Sequence, residues 1–176
     1  MNKKHFVIAL IMVLAAISRL IPHPPNFAPV TAIALFSGFY MTNKLLVYAL
    51  PIGIMMLSDL FLDLFLGFSS ISYFVYGAFV LVSFIGTFSK NPKIFKIVPC
   101  ILLSSISFFI ITNFGVWILG GYPKTWTGLA TCYTMAIPFF KNSLMGDFFY
   151  TGVMILCYLL SRKTFLKNRL KILKMF

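Results

Sequence analysis

Apolar residues in this chain fall in blocks, not in alternation and not on a single helical face. The blocks occupy residues 5–21, 27–42, 45–66, 71–89, 97–119 and 143–161, and short polar or proline-bearing breaks separate them. A helix crossing the hydrocarbon core of a bilayer needs about 20 such residues, with a range of about 17–25. The pattern therefore predicts six transmembrane helices. The first block stops at Pro22-His23-Pro24-Pro25, where closely spaced prolines cannot continue a helix. The second offers Asn26 as N-cap and Pro29 in its first turn, and at roughly 16 residues it reaches only about 24 Å. Pro51 and Gly53 predict a kink in the third, Pro99 belongs to the first turn of the fifth, and Asn142 or Ser143 caps the last.

Residues 120–141 resist this division. Trp126, Leu129, Ala130, Tyr133 and Ile137 recur at helical spacing, with Thr127, Thr131 and Thr134 on another face. The pattern predicts a short amphipathic or re-entrant helix against the outer leaflet, entered by the turn Gly120-Gly121-Tyr122-Pro123. Beyond residue 161, bases alternate with Phe165, Leu166, Leu170, Ile172 and Leu173, as in a basic cytoplasmic tail (162–176) resting on anionic headgroups. Ala28 and Ala32 offer a small-xxx-small helix contact. There is no internal repeat or linker, so residues 1–176 read as one all-α transmembrane domain.

Composition agrees. The chain is 60% hydrophobic and 10% charged, with a mean hydropathy of +0.97, where soluble domains run at about 45–50% apolar and about 25% charged. The net charge of +12 is then a statement about topology, not about nucleic acid. With the N-terminus inside, Lys3, Lys4, Lys44, Lys90, Lys93, Lys96 and the six bases of the tail are cytoplasmic, and Arg19, Lys124 and Lys141 are outside. Twelve against three obeys the positive-inside rule with both termini cytoplasmic. A seventh span would invert the tail. The expected location is the inner (plasma) membrane, multi-pass, with the first block retained as a helix and not cleaved. Cys100, Cys132 and Cys157 follow no ligand spacing and imply no disulfide framework.

The acids carry the functional signal. All three, Asp59, Asp63 and Asp147, lie inside apolar blocks. A carboxylate there costs about 2.5–3.5 kcal/mol on insertion scales, so it faces a partner or a wet cavity. In the six-span topology, Asp59 and Asp63 share one face of the outward third helix, and Asp147 lies in the outer half of the sixth. Arg19 and His23 end the first helix at that level, Asn26 follows, and Asn113 and Trp117 share a face of the fifth. This slab predicts a site for a small solute. The carboxylates contact or charge-balance it, Arg19 orients them, Asn113 and Trp117 line the pocket, and residues 126–137 form a lid. Two histidines, His5 and His23, are too few for a metal site. No phosphate loop, Gly-x-Ser-x-Gly or His-Glu-x-x-His motif is present, so neither an enzyme nor a cofactor is expected.

Arg19-Leu20-Ile21-Pro22-His23-Pro24-Pro25-Asn26-Phe27-Ala28-Pro29-Val30, with Thr112-Asn113-Phe114-Gly115-Val116-Trp117 and Asn142-Ser143-Leu144-Met145-Gly146-Asp147, resembles the signature of an uncharacterised family of small bacterial membrane proteins. More distantly, the layout is similar to the substrate-binding S components of energy-coupling factor transporters. That likeness implies a pocket at the outer helix ends for a vitamin-like solute or metal, with coupling and ATPase subunits as partners. One departure counts against a coupling partner: S components commonly carry Ala-xxx-Ala in the first helix, whereas here Ala9 is followed by Val13 and Ala15 by Arg19. The expectation is a solute-binding transport subunit. The alternatives are a non-transporting scaffold or assembly protein, with the acids as helix glue, and a stand-alone proton-coupled carrier.

Overall fold

A computed structural model describes residues 3–67 and 73–173, and among these the chain is all-helical. Six α-helices follow one another: α1 (Lys3–Ile17), α2 (Val30–Tyr40), α3 (Lys44–Leu66), α4 (Tyr73–Thr87), α5 (Ile94–Val116) and α6 (Trp126–Leu173). A 3-10 turn, Ser18–Leu20, extends α1, and a π turn, Trp117–Gly121, extends α5. By length and composition three helices are able to cross a membrane: α3, α5 with its π turn, and α6 as far as Lys163. Large apolar side chains cover the outside of the bundle, with Leu57 70% and Phe65 69% exposed. A surface this apolar belongs in lipid.

The short second block is the heart of the molecule. From Thr31 to Tyr40 every residue of α2 is buried, because the other helices pack around it. Its closest neighbour is α4. A Cβ on Gly38 would come within 2.6 Å of Gly86 Cα, and one on Gly86 within 2.7 Å of the Leu35 carbonyl. Here the two backbones touch, so a side chain at either position has no room. Ala28 makes a looser contact of the same kind, since a Cβ on Gly146 of α6 would lie 3.2 Å from the Ala28 nitrogen.

With no water to hydrogen-bond, stray backbone groups inside an apolar bundle must be satisfied by protein. Pro51 sits inside α3 and has no N–H for the carbonyl four residues earlier, that of Val47. Ser37 Oγ of α2 donates to that carbonyl at 2.8 Å. The C-terminal carbonyls of α2 are met in the same way: Lys90 Nζ donates to Gly38 O at 2.7 Å and to Met41 O at 2.6 Å, and Asn91 N–H to Phe39 O at 3.0 Å. Lys90 is thus a helix cap as well as a topological charge. Desolvation, with the like charge of Lys4 second, holds its pKa below the ordinary lysine value. Asn43 caps α3 as an accepting side chain for Leu45 N and Leu46 N, and Gly67 ends that helix at φ 67°.

Several boundaries depart from the sequence reading. Helix α2 begins at Val30, with Pro29 at the N-cap, and Asn26 does not cap it but turns the chain at φ 62°. Asparagine tolerates this left-handed geometry, which the run of prolines around it imposes. Helix α5 starts at Ile94, which puts Pro99 inside it and not in its first turn. The segment expected as a separate amphipathic helix, the last span and most of the tail form the single helix α6, with Pro138 inside. Asn142 and Ser143 therefore cap nothing, and the Asn142 side chain donates to the Pro25 carbonyl at 3.0 Å. Residues 71 and 72 of the expected fourth span and Lys174 to Phe176 of the tail lie outside the described residues.

Candidate functional site

One end of the bundle is open. A cavity of about 830 Å³ lies among the turn after α1, the loop to α2, and α2 to α6. Arg19, His23, Asn26, Asp59, Asn113 and Asp147 all line it, so six of the eight residues singled out in the sequence meet at one surface. Asp63 and Trp117 do not line it. Asp63 is one turn beyond Asp59 near the end of α3 and is only partly buried. The Trp117 indole Nε1–H instead donates to Pro123 O at 3.0 Å, which ties the π turn to the loop before α6. Residues Ala136, Phe139, Phe140 and Ser143 of α6 supply one wall, so the segment around Pro138 is part of the cavity. It is packed against α5 as well: Tyr133 Oη donates to Ile110 O at 2.7 Å, and the Phe109 and Phe140 ring centroids are 4.8 Å apart.

Two carboxylates reach the cavity floor in different states of satisfaction. Asp59 is 2% exposed and fully engaged. Its Oδ1 accepts from Arg19 Nη1 at 2.7 Å, and its Oδ2 from the Tyr76 hydroxyl at 2.7 Å. The same Arg19 nitrogen donates to Ser58 Oγ at 2.9 Å. The node joins the end of α1 to α3 and α4. It follows from sequence through two local facts: the 3-10 turn swings Arg19 inward, and Ser58 and Asp59 are adjacent on α3.

Asp147 is 3% exposed and has no such partner. Arg19–Asp59 is the one ion pair among the described residues, and Asp147 is held by hydroxyls alone. Ser105 Oγ lies 2.6 Å from Asp147 Oδ2, with the Thr31 hydroxyl as a second neighbour. Ser105 is also 2.9 Å from the Ile101 carbonyl, and its one hydrogen serves both acceptors. Below this level three buried hydroxyls, those of Ser83, Ser104 and Thr151, have no hydrogen-bond partner.

At the mouth, His23 and Asn26 are exposed, and His23 Nδ1 lies 3.0 Å from the Pro24 carbonyl. Asn113 donates its amide N–H to Phe109 O at 2.8 Å, one turn back on its own helix. Among the described residues no group of three His, Cys, Asp or Glu side chains is placed to hold a metal ion.

Sequence reasoning found the charged and amide members of this site and missed the hydroxyls. Tyr76 and Ser105 are as close to the carboxylates as Arg19 is, but hydroxyls are common in membrane helices and do not stand out by hydropathy. The run Ser104, Ser105, Ser107 does stand out, and in the sequence it reads as relief of a close helix contact. The antiparallel order of α5 and α6 puts one of the three, Ser105, on Asp147. A search of curated proteins and a search of solved structures each return no match. The sequence model of a family of unknown function, DUF6580, matches residues 1–170, nearly the whole chain, and the protein belongs to that family.

Proposed function

We propose that this protein is a solute-binding subunit of a membrane transport system, with six membrane-crossing helices, both termini cytoplasmic and the cavity open to the outside. The observation that carries the reading is the cavity itself. The bundle leaves about 830 Å³ open at one end, and places there its buried ion pair and a second buried carboxylate. Small-molecule sites are typically clefts of about 300–1,000 Å³, mostly apolar with a few convergent polar groups. The charge distribution supports the orientation, since Arg19, Lys124 and Lys141 fall in segments at the cavity end, whereas Lys3, Lys4, Lys44, Lys90, Lys93 and Lys96 fall at the opposite helix ends. Helices α1, α2 and α4, at 15, 11 and 15 residues, are shorter than a typical span. In this reading they cross where the surrounding helices complete the barrier. Thinning of the bilayer around the bundle accommodates them.

No nucleotide-binding motif is present in the chain, so energy comes from an ion gradient or from partner subunits. The six-helix layout with an outward cavity is the sense in which it is similar to an energy-coupling factor S component. The missing Ala-xxx-Ala contact leaves the docking of a coupling subunit to other residues. The test is uptake and binding by the full chain in its native membrane. Asp147→Asn abolishes solute accumulation at unchanged protein level in this reading, whereas normal accumulation by that variant removes the cavity from the transport path.

The Arg19–Asp59–Tyr76 node favours part of a second reading, in which acids act as helix glue. It ties three segments and already meets each Asp59 oxygen with a donor. The two readings therefore divide between the two carboxylates, with glue at Asp59 and binding at Asp147.

A further inference from the structure

Resting on that reading, the charge inventory of the cavity narrows what the solute is. Arg19 and Asp59 cancel as a contact pair, and both oxygens of Asp59 are taken. Asp147 remains as a carboxylate 97% withdrawn from the surface, with no base within salt-bridge distance among the described residues and with hydroxyl neighbours that have too few hydrogens to go round. A carboxyl at such depth either holds its proton or is ionised against a cation, and a solute that brings the cation favours the ionised form. No side chain of the cavity is free to be that cation: Arg19 is committed at Asp59, and His23 sits at the exposed mouth against Pro24. The cavity walls near Asp147 are aromatic, with Phe108 and Phe109 on α5 and Phe139 and Phe140 on its own helix, α6. Ring faces attract a cation and pack against a flat apolar body.

We propose that the cavity takes a small organic cation, a protonated amine or amidinium on an apolar, preferably aromatic, body, whose N–H donors seat on Asp147 between Thr31 and Ser105. The charge the fold leaves unpaired is the recognition element. The solute's cation completes at Asp147 what Arg19 completes at Asp59, and the phenylalanines hold the rest of it.

The experiment uses the purified full-length chain in detergent micelles and matched probes: 2-phenylethylamine against 2-phenylethanol, benzamidine against benzamide, and 3-phenylpropionate as the anion. Thermal shift and calorimetry read binding. The amine and the amidine bind at least about tenfold more tightly than their uncharged isosteres, a difference set by one compensated charge. Asp147→Asn abolishes that preference, and Asp147→Glu retains it. The unliganded melting temperature of Asp147→Asn, at or above that of the parent chain, shows that the loss is not unfolding. Equal binding of charged and uncharged probes overturns the cation while the solute-binding reading stands. Tightest binding of the carboxylate makes Arg19 the anchor and overturns it likewise. No binding by any probe overturns both.

Discussion

Two aspartates of nearly equal burial sit in the same cavity, and the protein treats them oppositely. Around Asp59 the fold supplies a guanidinium, a phenol and a neighbouring serine, with contacts of 2.7, 2.7 and 2.9 Å converging on one node. Around Asp147 it supplies hydroxyls only, one of them shared with a backbone carbonyl. The first arrangement is complete without a ligand, and the second is not. Burial alone therefore does not identify a functional acid in a membrane bundle. On the proposed reading, what marks it is a buried carboxyl with no base beside it among the described residues.

The largest effect comes from opening the closed node. Arg19→Met leaves Asp59 buried without its cation, and removing one partner of a buried pair costs about 3–5 kcal/mol. Unfolding by SDS titration in micelles reads it. The double variant Arg19→Met, Asp59→Leu recovers most of that loss, because an apolar pair of similar volume is often neutral relative to a buried ion pair. If the double variant is as unstable as the single one, the charge is not what the node contributes. Tyr76→Phe is milder. It deletes one hydrogen bond to a charged acceptor, for a cost of about 1.5–3 kcal/mol by the same assay. At the open node the sign reverses. Asp147→Asn removes an uncompensated charge and adds donors, so the unliganded protein gains about 1 kcal/mol while solute binding is lost. A stability loss there as large as that of Arg19→Met would make the two carboxylates equivalent and end the distinction.

How much of this was legible in the sequence depends on which force decides each feature. Hydropathy decides which stretches become helices, and the six apolar blocks each contribute to one of the six helices in the described residues. The charged members of the cavity were legible for the same reason, because a charge in an apolar block is conspicuous. The centrality of α2 was not. Its residues look like those of any span, and only packing reveals that Gly38 and Gly86 let α4 come close enough to enclose it. The continuity of α6 was not legible either. Asn142 or Ser143 read as the cap of a new helix, yet α6 runs through both and through Pro138, because a proline is tolerated inside a membrane helix when a neighbour packs on both sides of it, as Phe109 of α5 does here against Tyr133 and Phe140. Asp63 and Trp117 fell to the periphery because helical phase sets a face but not how far toward the helix end the cavity extends. Tyr76 and Ser105 needed the tertiary register.

The smallest effect is the sharpest probe of that register, because it lies in two adjacent serines of α5. Ser104 and Ser105 are both buried, at 0% and 3% exposure, and differ only in what their hydroxyls meet. Ser105 has two acceptors, Asp147 and the Ile101 carbonyl, whereas Ser104 has no partner. Ser105→Ala strips Asp147 of a donor and costs stability, by about 1 kcal/mol because its one hydrogen is divided between Asp147 and the Ile101 carbonyl. Ser104→Ala deletes a polar atom that is already unpaid for in hydrogen bonds, and keeps or raises stability by up to about 1 kcal/mol. Since the two changes remove the same atom from neighbouring positions on one helix, helix propensity and volume cancel in the comparison. Only the rotational phase of α5 against α6 remains. Equal and opposite shifts in the unfolding midpoint fix Ser105 on Asp147; equal losses from both variants mean that α5 is turned, and that Asp147 has a different donor.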